Sequence, residues 1–91
     1  MAMEAIDKCG YIVASSYRYK TLLELSNKKY ETPTNLAHNT GIKVNHISKI
    51  LRELKEKEMI KCVNENVRKG RLYCITDEGK AVMKLVQEIS L

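Results

Sequence analysis

Four polar side chains fall within eight residues: Asn45, His46, Lys49 and Arg52. Steps of four and three put 45, 49 and 52 on one face of a helix, with His46 beside them. An asparagine amide pairs twice with an adenine edge, and arginine or lysine pairs with guanine. Lys49 and Arg52 can also neutralise phosphates. Ser48 lies nearer the apolar edge, where it can either bond a base or pack. Lys43, just upstream, can sit by a phosphate. A second basic set follows at Arg68, Lys69 and Arg71, around Gly70. Together these residues can recognise a nucleic acid.

Bond-making chemistry has no comparable support. Ser, His and Asp occur without a local signature around any serine, and no glycine-rich phosphate loop is present. His38 and His46 are far from any cysteine or carboxylate cluster, so no metal site is expected, and no cofactor is implied. The chain is therefore not expected to be an enzyme.

The elements that must hold these residues can be read from the same segment. The stretch 33–50, PTNLAHNTGIKVNHISKI, reads as two short helices joined by a tight turn. Thr32 caps the first helix, and Pro33 fits its first position, where a missing N–H costs nothing. Gly41 can take the left-handed conformation that ends it near Thr40. The second helix is expected over 44–57, with Val44, Ile47, Leu51 and Leu54 as its buried stripe and Ile50 beside them. Lys43 is its N-cap, a poor capping residue. This is the layout of a helix-turn-helix, with the polar face of the second helix turned outward.

Around that unit, residues 3–13 are expected to form a short helix with Met3, Ile6, Cys9 and Val13 on its apolar face. A second helix covers about 16–27, capped at Ser15-Ser16. After residue 57 the apolar period changes from 3.6 to two. Residues 59–64 and 71–75 read as the strands of a hairpin with a basic tip. If that hairpin closes symmetrically about Arg68, Cys62 and Cys74 sit opposite each other on one face. Thr76 caps a last helix over 77–90, whose apolar residues include Val82, Val86 and Ile89, widened by Met83 and Leu91. Lys55 and Lys57 alternate with Glu53, Glu56 and Glu58, as ion pairs within one helix do.

Ninety-one residues make one domain, expected over 1–91, with a core of Leu, Ile, Val, Met and Tyr because Trp and Phe are absent. The net charge is +5, and its placement is informative. Residues 1–42 carry five basic and four acidic groups, residues 43–71 nine and four, and residues 72–91 two and three. The excess thus lies on the second helix of the motif and the hairpin, as phosphate binding requires. Three cysteines without a CxxC pair do not suggest a disulfide scaffold. Neither a signal peptide nor a membrane span is apparent, so a cytoplasmic protein with reduced thiols is expected.

The strings LA..TGI..N.IS..L.EL and KGRLY.IT..GK carry a resemblance that covers residues 15–83. They resemble winged-helix transcriptional regulators of the MarR/ArsR-like class, especially small archaeal ones. The resemblance implies a mainly α fold with a small β-hairpin: a three-helix core, a two-stranded wing, and flanking N- and C-terminal helices. It implies double-stranded DNA as partner, with 44–57 as recognition helix in the major groove and the basic wing on the backbone or minor groove. The DNA contacts it implies are Lys43, Asn45, His46, Ser48, Lys49, Arg52, Arg68, Lys69 and Arg71. It also implies a homodimer on a pseudo-palindromic site. The recognition helix lacks the cysteine pair of metal-sensing ArsR-type members, and an effector-binding domain is not expected within residues 1–91. Other readings are a protein-interaction module in a larger assembly, a thiol-redox regulator using Cys62 and Cys74, and a DNA binder of low specificity.

Overall fold

The computed structural model describes residues 4–89. Five helices and one hairpin follow in the order α1 (Ala5–Val13), α2 (Ser16–Ser26), α3 (Pro33–Thr40), α4 (Val44–Glu56), β1 (Ile60–Cys62), β2 (Tyr73–Ile75) and α5 (Asp77–Ile89). Local chemistry sets most of the boundaries. The Ser15 hydroxyl accepts the Arg18 N–H at 3.3 Å, and the Thr32 hydroxyl accepts the Asn35 N–H at 3.2 Å. Gly41 ends α3 at φ 73°, its N–H donating to the Ala37 carbonyl. Thr76 caps α5 by accepting the Gly79 N–H at 3.0 Å. Lys43 caps α4 with no side-chain hydrogen bond.

Helices α2, α3 and α4 enclose Leu22, Leu25, Leu36, Ile47, Leu51 and Leu54, all buried. Met59, Ile60 and Ile75 close that core from the hairpin side, and Cys9, Ile12, Val82 and Val86 close it from α1 and α5. Two expectations need correction. Helix α1 turns Lys8, Cys9 and Ile12 inward, not Ile6 and Val13, which are 67% and 54% exposed. A lysine can take an inner position here because its ammonium donates to the Glu78 carboxylate at 2.6 Å. Val44 is 51% exposed, because it projects from the first turn of α4 beyond the packed layer. Met3 and Leu91, assigned to apolar faces from sequence, lie outside the described residues.

The hairpin pairs Ile60 with Ile75, Lys61 with Cys74, and Cys62 with Tyr73. This register is one residue away from symmetry about Arg68, and a one-residue slip moves every side chain to the other face. Cys62 therefore shares a face with Tyr73, and Cys74 shares the opposite face with Lys61. The expected Cys62–Cys74 juxtaposition does not exist, and the redox reading built on it falls. Asn64 fits this register, its amide oxygen accepting the Leu72 N–H at 2.7 Å, a place a backbone carbonyl would otherwise fill. Glu31 extends the sheet on its other edge, exchanging two 2.9 Å backbone hydrogen bonds with Tyr73.

One joint holds these parts together. The Met59 N–H donates to the Leu54 carbonyl and the Glu58 N–H to that of Lys55, closing α4 in a Schellman motif with Glu58 at φ 63°. The Met59 carbonyl accepts the Thr76 N–H at 3.0 Å. Helix α5 then crosses so closely that a Cβ on Gly79 would lie 2.1 Å from the Met59 oxygen and 2.7 Å from the Ile75 Cγ1.

Gly79→Ala is expected to destabilise the fold by about 2 kcal/mol. Over-packing costs up to ~3 kcal/mol, and better helix propensity returns ~1. Thermal denaturation would show a melting temperature lower by roughly 10 °C. For the thiols, mild oxidation should form no intramolecular Cys62–Cys74 disulfide. Native alkylation followed by mass spectrometry should label half-buried Cys62 well before buried Cys9 and Cys74.

Candidate nucleic-acid interface

Once Ile47, Ile50, Leu51 and Leu54 are buried, the helical period leaves Asn45, His46, Ser48, Lys49 and Arg52 on the outside of α4, all exposed. Lys43 is exposed at its N-terminus. On one flank, Ser48, Arg52 and Lys55 share a groove of about 710 Å³ with Arg68, Lys69 and Arg71 from the hairpin and with Thr32 and Thr34 at the start of α3. Arg52 and Lys55 of α4 and the basic loop therefore open onto one surface. Lys49 and His46 turn to the other flank, where they border a smaller hollow beside Tyr17 and Arg18 of α2. The His46 ring meets the Tyr17 ring edge-on, with centroids 5.9 Å apart. Sequence alone places these residues on one helical face. The fold divides them between two flanks.

The loop that carries Arg68 and Lys69 is built by its own side chains. The Asn64 amide nitrogen donates to the Gly70 carbonyl at 3.1 Å, beside the bond to Leu72. Arg71 donates to the carbonyls of Val67 at 2.8 Å and Glu65 at 3.4 Å. Half-buried Arg71 thus braces the loop, while Arg68 and Lys69 stay exposed at its tip.

A further link ties this loop to α4. Lys55, expected to pair within its own helix, forms a salt bridge with Glu65 of the loop. The correction follows from the fold, which brings the loop over the Lys55 side of α4. Hydrogen bonding to Glu65 raises the Lys55 ammonium above the usual lysine range, and Lys55 holds the Glu65 carboxyl below the usual glutamate range. Lys57, also expected to pair within its helix, lies 4.4 Å from the centre of the Tyr11 ring, with the Arg18 guanidinium 3.9 Å from that centre. Burial pushes the Tyr11 phenol up against the opposing pull of Arg18. Its hydroxyl lies near Glu53 without completing a hydrogen bond. This stack ties α1 and α2 to the C-terminal end of α4. Sequence reasoning missed Lys55, Asn64, Glu65 and Tyr17. An asparagine entering a hairpin loop is a usable signal for the second, but the Lys55–Glu65 pairing leaves none.

Among the described residues no group of His, Cys, Asp and Glu could hold a metal ion, and no helix is long and apolar enough to cross a membrane. Residues 18–91 match the winged helix-turn-helix family. A comparison with curated proteins finds no match. Among solved structures, the fold is similar to that of RV1404 from Mycobacterium tuberculosis, with TM-score 0.72 and 24% identity over 81% of this chain and 51% of that one. A MarR family transcription regulator aligns with TM-score 0.74 and 22% identity, over 84% of this chain and 51% of its own. A mutant MarR from E. coli, complexed with operator DNA, aligns with TM-score 0.72 and 20% identity, over 81% and 54%. The chain spans about half the length of these three proteins, and at such identities the likeness establishes the fold.

The Lys55–Glu65 pair has a defined pH range. Its contribution from Glu65, whose pKa is lowered, is complete above the unfolded pKa of that group. It is lost as pH falls through the folded one. The contribution from Lys55, whose pKa is raised, is lost only as strongly alkaline pH passes its folded pKa. Amide NMR signals of residues 65–69 should shift as Glu65 protonates. Glu65→Gln should fix them near their acid positions at neutral pH. The melting temperature should hardly change, because both groups are exposed and screened.

Proposed function

Because the chain belongs to the winged helix-turn-helix family, we propose that it is a sequence-specific DNA-binding transcriptional regulator. The observation that carries this is the shared surface of α4 and the loop, where Arg52, Arg68 and Lys69 line one groove. On this reading α4 enters the major groove. Asn45, His46 and Arg52 select bases, while Lys43, Lys49 and Ser48 sit along the helix as further contacts. Arg68 and Lys69 take the backbone or the adjacent minor groove. Arg71 adds its charge but acts mainly by shaping the loop.

A homodimer on a pseudo-palindromic site is part of the proposal. Val82 and Val86 are spent on the chain's own core. Ile6, Val13 and Ile89 remain exposed on α1 and α5, and they support a subunit contact there. The alternative of a protein-docking module is less favoured, because a docking surface has no need of Arg52 and the loop cations together.

Selection of bound sites from a random DNA pool tests the reading. It should yield one pseudo-palindromic motif, and absence of any enrichment at low salt would sink the proposal. Against the selected site, Arg68→Ala should weaken all sequences alike and flatten the slope of log affinity on log salt by about 0.9. Asn45→Ala should instead relax preference at one position, removing ~1–3 kcal/mol of discrimination. Both are read by fluorescence anisotropy.

A further inference from the structure

A second basic cleft lies behind the hairpin. Lys28, Lys29 and Tyr30 from the link between α2 and α3, Lys61 from β1, and Lys80 and Asp77 from α5 border a hollow of about 460 Å³. The strand register fixes its position. Cys74 pairs with Lys61 and lines this hollow, whereas Tyr73, pointing the other way, lines the groove beside α4. The two basic clefts share no lining residue.

The lysines there form no salt bridge. Among the described residues the salt bridges are Lys8–Glu78 and Lys55–Glu65, and neither involves this cleft. Lys29 lies 5.7 Å from the centre of the Tyr30 ring. Four lysines and one carboxylate, Asp77, line it, a formal charge of +3. Packing does not require this arrangement, since all four lysines are exposed, and gathered like charges weaken a fold. The hollow is of small-molecule size, and Tyr30, itself exposed, offers it a flat ring.

We propose that this cleft binds a compact polyphosphate, either inorganic pyrophosphate or the phosphate tail of a nucleotide. The lysines act as point-charge phosphate ligands, and Tyr30 is a surface on which a base can stack. The site is independent of the DNA reading, because none of its residues lines the groove beside α4.

Isothermal titration calorimetry of the full chain at low salt tests this with pyrophosphate, ATP and adenosine. Pyrophosphate and ATP should bind with dissociation constants below about 1 mM, and adenosine should not bind. Tighter binding of ATP than of pyrophosphate identifies a nucleotide site, and equal binding an inorganic one. The double variant Lys61→Ala with Lys80→Ala should weaken both by roughly tenfold without changing the melting temperature. Arg52→Ala with Arg68→Ala should leave them unchanged. The proposal is overturned if neither phosphate compound binds, or if affinity is lost with Arg52 and Arg68 rather than with Lys61 and Lys80.

Discussion

The position of α4 relative to the hairpin depends on the backbone of one residue. Met59 gives its N–H to the end of α4 and its carbonyl to Thr76, and its side chain is fully buried. Gly79 brings α5 down onto that same carbonyl. The end of α4, the start of β1 and the docking of α5 are therefore one connection. Backbone hydrogen bonds in a packed interior leave little freedom of angle. The groove between α4 and the loop inherits its placement from this joint, while the Asn64 and Arg71 side chains and the Lys55–Glu65 bridge shape its loop wall.

Much of this architecture is legible in the sequence, because local chemistry sets it. Ser15, Thr32 and Pro33 mark helix starts, Gly41 marks the turn, and the change of period after residue 57 marks the hairpin. What is not legible is decided by partners far along the chain. Lys8 is buried because Glu78 meets it, and that choice sets the phase of α1. The hairpin loop is closed by the Asn64 side chain standing in for a backbone acceptor, which residue counting from the basic tip does not reveal. The end of α4 is equally hidden, since Glu58 takes a left-handed conformation where glycine is the usual signal.

The candidate site divides in the same way. Helical period alone puts 45, 49 and 52 on one face, and the localised charge points to the loop. The split of that face follows from where α2 and the hairpin come to rest. Dividing the charge by segment also hides the basic cleft behind the hairpin, because residues 28 to 80 converge there only in the fold. Lys61, inside the basic stretch 43–71, belongs to this second cleft and not to the groove beside α4.

The link between Lys55 and Glu65 bears on how ionic strength acts on this protein. Added electrolyte competes with cations for any polyanion, and it also screens an exposed bridge that steadies the loop bearing Arg68 and Lys69. Salt therefore reaches the same surface by two routes, one through the partner and one through the protein itself. A count of charges drawn from a salt titration mixes the two, and would overstate how many groups the protein touches.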